Sequence, residues 1–215
     1  MTHIFDVDQT VIKRTSAQYF LLEALKDKYI NIWQIRRLPF DLIKYKLAIL
    51  NFDFIENSVK IFTDLPEKDF EMVSNNCFEK RIKKNIFPDA EKLIKEAISR
   101  GEKVIFATSS FDFIIRPLEK YFGIEGSIAS KLEFKDGKTT GRLLGESLFG
   151  NKKKIAVVQW LEQNGINPKD ACFYSDSYTD IPLLEYCGTA VAVNPDRFLA
   201  KEAKKRGWKI LQFSK

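Results

Sequence analysis

The sequence predicts an α/β protein: a parallel β-sheet covered by helices on both faces, with a helical insertion after the first strand. Two observations carry this. Short apolar runs, "HIFDVD", "KVIFATSS", "ACFYSD", "AVAVNP" and "WKILQF", recur with helical stretches between them. Strands alternating with helices assemble into parallel sheets buried on both faces. Residues 14–85 break that rhythm and contain no glycine. At 215 residues the chain is long enough for one such domain with a modest insertion.

The first strand is "HIFDVD", closed by Asp6 and Asp8. In the insertion, "SAQYFLLEALKDKY", "LPFDLIKYKLAILNF" and "PEKDFEMVSNNCFEKRIKK" each read as an amphipathic helix, with breaks at Pro39 and Pro66. Its basic and bulky stretch "INIWQIRRLPFDLIKYKLAILNF" reads as part of a helical domain with its own core and a solvated basic face. The alternative is an interfacial surface for a lipid-like phosphomonoester or a membrane. "PDAEKLIKEAISRG" has Pro88 and Asp89 at its start and Gly101 past its end, the signals of a helix. "SKLEFKDGKTTGRLLGE" reads as a hairpin turning at Lys-Asp-Gly-Lys and lying at the sheet edge. "KKKIAVVQWLEQNG" spaces Ile155, Val157, Val158, Trp160 and Leu161 as a helix ending at Gly165. The expected division is a core of residues 1–13 and 86–215 with an insertion of residues 14–85.

Composition excludes several kinds of chemistry. His3 is the single histidine, so a Ser-His-Asp triad would have to use it, and neither a GxSxG nor a GxxxxGK[ST] motif occurs. Cys77, Cys172 and Cys187 are odd in number and form no CxxC pair, which fits a reduced, cytoplasmic setting. The chain opens directly on a charged motif, with no signal peptide expected, and its apolar runs are shorter than a membrane span. A net charge of +6 suits anionic partners without choosing among phosphorylated metabolites, nucleic acid or an anionic membrane.

In an open parallel sheet, ligands bind beyond the carboxyl ends of the strands. Asp6, Asp8 and Thr10 follow the first strand, Thr108, Ser109 and Ser110 the second, and Asp176, Ser177 and Asp180 the third. Several carboxylates on one rim repel unless a cation or a proton resolves them, and hard oxygen ligands without histidine or thiolate point to Mg²⁺. Lys152, Lys153 and Lys154 begin a helix, where the macrodipole favours acids instead; a cation there makes sense facing an anion. Each feature also has a plainer reading: a turn or cap aspartate, a Thr-Ser-Ser helix cap, or a solvated lysine run.

Together these residues resemble the haloacid dehalogenase (HAD) superfamily of phosphohydrolases. "FDVDQT" is similar to its DxDx[TV] motif, "VIFATSS" to its second motif, Lys153 to its lysine and "YSDSYTDIPLL" to its fourth motif. The match is closest to subfamily IB, the phosphoserine phosphatase branch, and covers nearly the whole chain. The resemblance implies a Rossmann-like core with a cap inserted after the first motif. It implies a Mg²⁺-dependent phosphomonoesterase acting on a small phosphorylated metabolite through an aspartyl-phosphate. Asp6 would be nucleophile and metal ligand, Asp8 the acid/base and a metal ligand through its carbonyl, and Asp176 a metal ligand. Thr108, Ser109 and Lys153 would hold the phosphoryl group, and Asp180 would orient Lys153 or the metal's waters. Gln9 stands where many members have Gly, and Ser109-Ser110 where phosphoserine phosphatases tend to have Gly-Gly. Alternatives with the same site are a phosphotransferase or phosphomutase, or a phosphatase of lipid-type phosphates. A signalling receiver domain lacks both the insertion and "SDSYTD". No nucleic-acid partner is expected, and membrane contact through the basic insertion is not favoured.

Overall fold

The structure is a computed structural model that describes residues 1–30 and 59–214. The second helix expected in the insertion, "LPFDLIKYKLAILNF", and the basic stretch around it lie outside the described residues. Strands β1 (Thr2–Phe5), β2 (Lys103–Phe111), β3 (Ser127–Ser130), β6 (Ala171–Ser175), β7 (Thr189–Val193) and β8 (Lys209–Leu211) form one sheet. Its order is β3-β2-β1-β6-β7-β8, and every neighbouring pair is parallel. The five apolar runs all became strands. β3, with the sequence "SIAS", is too short and too polar to stand out in the sequence.

Residues along each strand alternate between two apolar clusters. Phe5, Val104, Phe106, Cys172, Tyr174, Val191 and Val193 join one. Ile4, Ile105, Ala107, Phe173 and Ala192 join the other. This is the period-2 geometry of a strand, with both faces apolar because helices cover both. On the second face lie α5 (Asn151–Gln163), α6 (Ile181–Leu184) and α7 (Arg197–Arg206), through Val157, Leu161, Leu183, Leu184, Leu199 and Ala203. On the first lie α3 (Pro88–Ser99) and α4 (Asp112–Phe122), through Ala90, Ile94, Ile114, Ile115 and Leu118. Burying each large side chain contributes about 1.5–3 kcal/mol.

The insertion contributes α1 (Ser16–Lys26) and α2 (Glu67–Cys77), the latter continuing through a π-helical turn, Phe78–Ile82, and a 3₁₀ turn, Lys83–Asn85. Its entry and exit lie side by side: Lys13 N–H donates to Asn85 O and Phe87 N–H to Val11 O, both at 2.9 Å. Among the described residues, its apolar faces join the cluster on the first face of the sheet. Phe20, Phe62 and Phe70 meet Phe113 of α4 edge-on, with ring centroids 5.1, 6.4 and 5.0 Å away, an arrangement that suits the ring quadrupoles.

The hairpin, β4 (Leu132–Lys135) and β5 (Lys138–Leu143), forms its own two-stranded sheet and not an edge of the main one, where the sequence led us to expect it. The edge is already held by β3. The hairpin's free backbone groups pair with the insertion instead: Asp64 N–H to Thr139 O, Thr139 N–H to Leu65 O and Glu67 N–H to Gly137 O.

Candidate active site

The loop after β1 builds the first part of the site. Val7 O accepts from the N–H groups of Thr10, Val11 and Ile12 at 3.3, 2.8 and 3.1 Å. Such tight winding needs a left-handed residue, and Gln9 supplies it at φ 60° with its side chain exposed. A side chain costs about 1 kcal/mol in that conformation, which glycine would avoid. The turn leaves Asp6 buried at the strand end and swings Asp8 back toward α1, where its Oδ1 accepts from Ser16 N–H at 2.8 Å.

Of the three adjacent lysines, the fold buries Lys153, whose Nζ donates to Asp6 Oδ1 at 2.9 Å and to Asp180 Oδ2 at 2.8 Å. Lys152 pairs with Glu146, and Lys154 lies over the Tyr186 ring. Gly150, left-handed at φ 59°, turns the chain into α5 just before this lysine. The basic first turn of α5 thus has its anions in other segments.

β6 delivers the third part. Ser175 Oγ donates to Asp180 Oδ2 at 2.7 Å and accepts from Ser177 N–H. Asp180 makes no side-chain cap for α6, although it stands at that helix's start. Asp196 pins the loop from outside: its N–H donates to Asp176 O, and its carboxylate accepts from the N–H groups of Tyr178, Phe198 and Leu199.

β2 runs on to Phe111, so Thr108, Ser109 and Ser110 lie in the strand's irregular end and do not cap α4. Thr108 Oγ1 accepts from Ser110 N–H at 3.1 Å, which leaves its own proton free to donate. Ser109 O accepts from Ser130 Oγ at 3.3 Å. Ser110 Oγ meets Ser16 Oγ at 2.6 Å.

The charges do not balance. Burial pushes the Asp6 carboxyl up to about 7 against the pull of Lys153. Burial, reinforced by Asp6, pushes Asp176 up to about 8. Asp8 is also raised by burial, while Ser16 opposes the shift. Burial disfavours the Lys153 ammonium, but Asp180 and Asp6 more than compensate and hold it charged. Asp180 Oδ1 and Thr10 Oγ1 are buried without a hydrogen-bond partner among the described residues. Among the described residues, no three His, Cys, Asp or Glu side chains converge to hold a metal alone. Two mutually repelling carboxylates and an orphaned carboxylate oxygen nonetheless fit a hard divalent cation that keeps several waters.

Sequence reasoning missed Ser16, Ser175 and Asp196 as parts of this constellation. Ser175 sits inside a quoted motif and could have been noticed; Ser16 and Asp196 stand at helix starts, with no local signal that sets them apart. His3 is committed elsewhere, with its ring nitrogens 3.0 Å from Tyr174 Oη and 3.1 Å from Glu102 Oε2. It serves no serine nucleophile.

Comparison with known proteins agrees with this layout. Residues 4–185 match the model of the haloacid dehalogenase-like hydrolase family. The chain is 31% identical over 219 residues to a histidinol-phosphatase of Neisseria meningitidis, covering 98% of this chain and 97% of that one. A crystal structure of a protein with unknown function from Bordetella pertussis Tohama I superposes with a TM-score of 0.88 at 25% identity, covering 98% and 97% of the two chains. A structure described as a phospho-aspartyl intermediate analogue of phosphoserine phosphatase superposes with a TM-score of 0.69 at 25% identity, covering 98% and 92%. With a family match spanning most of the chain and a phosphatase relative aligned almost end to end, this protein belongs to the haloacid dehalogenase-like hydrolases and is a phosphatase of the phosphoserine phosphatase-like kind.

Proposed function

We propose that this phosphatase hydrolyses a small phosphomonoester through an aspartyl-phosphate on Asp6, with Mg²⁺ as its cofactor. The observation that carries the reading is Lys153, buried between Asp6 and Asp180 on a rim with more carboxylates than cations. A carboxylate oxygen of Asp6 attacks phosphorus, and the bond to the leaving-group oxygen breaks. Asp8, in its acid form, gives that oxygen its proton. It then takes a proton from the water that attacks the phosphorus of the acyl-phosphate, releasing phosphate and restoring Asp6. Thr108, Ser109 and Lys153 hold the phosphoryl oxygens. Attack of a carboxylate on a phosphate dianion meets repulsion of about 4 kcal/mol per pair of unit charges at 4 Å and an effective dielectric near 20. Mg²⁺, held by Asp6, the Asp8 carbonyl and Asp176, supplies the positive charge that offsets it. Asp180 orients Lys153 through one oxygen, and its other, unpaired among the described residues, would meet the waters of a bound metal.

Residues 14–85 are proposed as a cap that closes over this rim and selects the leaving group. The named relatives act on phosphoserine and histidinol phosphate, both primary alkyl phosphates bearing an amine, so a metabolite of that class is the proposed substrate. Hydrolysis of p-nitrophenyl phosphate should require Mg²⁺, stop with EDTA and fall by on the order of 10⁴-fold or more in Asp6→Asn. Activity surviving in Asp6→Asn would overturn the nucleophile. Assays of O-phosphoserine and histidinol phosphate side by side test the substrate class, which fails if neither outperforms p-nitrophenyl phosphate in kcat/KM.

A further inference from the structure

Asp8 is held by a residue that belongs to neither of the loops flanking the rim. Its Oδ1 accepts from the N–H of Ser16, at 2.8 Å, the first residue of α1. Ser16 is completely buried. The first turn of α1 contains no acidic residue. Its first N–H and positive dipole end are therefore met by a carboxylate eight positions upstream. On its other side, Ser16 Oγ lies 2.6 Å from Ser110 Oγ, and Ser110 N–H donates to Thr108 Oγ1. A helix cap explains little of this. Thr15 already occupies the cap position, with its hydroxyl accepting from Gln18 N–H. A buried hydroxyl pair joining residues 94 positions apart does nothing for α1 alone.

We infer that Ser16 is a positioning residue for the acid/base Asp8. Its N–H fixes one oxygen of the carboxylate, and its hydroxyl, through Ser110, ties that carboxylate to the strand end carrying Thr108. With Oδ1 held by the Ser16 N–H, we assign Oδ2 the proton for the leaving group. Ser110 also acquires a reason to be serine: its hydroxyl is the partner Ser16 needs. The inference rests on the reading of Asp8 as the acid. It adds that the aim of this acid is set by the first residue of the insertion, so the placement of α1 and the protonation of the leaving group are linked. A general acid contributes typically 10²–10⁴-fold and depends on accurate placement.

The test is the dependence of kcat/KM on leaving-group basicity, across substituted phenyl phosphates from p-nitrophenyl to unsubstituted phenyl. An acid matters most for the basic leaving group. Ser16→Pro removes both the N–H and the hydroxyl while keeping the helix start, since the first helical position tolerates proline and Thr15, at φ −77° and ψ 135°, is already extended as a residue before proline must be; its excess over Ser16→Ala is the share of the N–H. The proline variant should lower kcat/KM for phenyl phosphate by about 10–100-fold, and for p-nitrophenyl phosphate by less than about 3-fold. Ser16→Ala and Ser110→Ala, which keep the N–H and break the hydroxyl pair, should steepen the series less. They also serve if the proline variant does not fold. In Asp8→Asn the series should be steep already, and adding Ser16→Pro should change it no further. An equal loss for every ester in the Ser16 variants, or no loss, overturns the inference while leaving Asp8 as the acid if Asp8→Asn steepens the series. If Asp8→Asn leaves the slope unchanged, the acid assignment falls and this inference with it.

Discussion

Two buried ionic clusters in this protein strike opposite balances. In the insertion, Glu23 is fully buried, and each of its oxygens has a cation, Lys80 at 2.9 Å and Arg81 at 2.6 Å. Burial alone would raise its pKa, but Lys80 and Arg81 hold it below the ordinary glutamate value. At the rim, Lys153 pairs with both Asp6 and Asp180, Asp176 makes no ion pair among the described residues, and Asp6 and Asp176 are pushed upward. The first cluster is satisfied by its own residues; the second is complete only with something added. That difference, more than the presence of buried charge, is what the proposed catalytic role of the rim rests on.

The largest effect expected from breaking the comparison is on activity. Lys153→Met should lower kcat/KM by at least about 10²–10³-fold, measured on p-nitrophenyl phosphate with saturating Mg²⁺. A loss under threefold would place the essential cation elsewhere. Glu23→Gln should do the reverse. Lys80 and Arg81 remain partly exposed and can turn to water, so the expected cost is about 1–3 kcal/mol of stability by urea denaturation. Activity per folded molecule should be unchanged, and a selective loss of kcat would mean the cluster is not merely structural.

The two clusters should also respond to pH with opposite signs. Glu23, held low, stabilises the fold above its unfolded value of about 4.5, and that contribution is lost as the pH falls through its folded value. Asp6 and Asp176, raised from 3.8 to about 7 and about 8, bind protons that the unfolded chain has released. Their contribution is greatest below pH 4 and disappears as the pH rises to about 8. Mg²⁺ should therefore raise the Tm of the EDTA-treated protein more at pH 8 than at pH 5.5. An equal rise at both would disconnect these carboxylates from the metal. The smallest effect concerns the turn between Asp6 and Asp8. Gln9→Gly should raise stability by up to about 1 kcal/mol by relieving the left-handed side chain. A destabilisation would show that the Gln9 side chain makes a contact that outweighs the strain.

What the sequence determined by itself was local and periodic. Alternating burial reaches two residues at a time, so "KVIFATSS" and "ACFYSD" declared themselves strands, and the aspartates and hydroxyls at their carboxyl ends had to share a rim. Helix boundaries were legible for the same reason, as with Pro88 opening α3. Tertiary structure alone decided what depends on distance in the chain. Lys153 is the lysine that the fold buries, 2.9 Å from a carboxylate 147 residues away, whereas the sequence singled it out from Lys152 and Lys154 only through the family resemblance. The hairpin left the sheet edge because β3 already held it and the insertion offered backbone partners. Gln9 took the left-handed conformation because three N–H groups close on Val7 O. Ser16 and Ser110 met because α1 packs its first turn against the end of β2. A side chain's role is set by the groups it faces when buried, and the fold, not its immediate neighbours in the chain, chooses those groups.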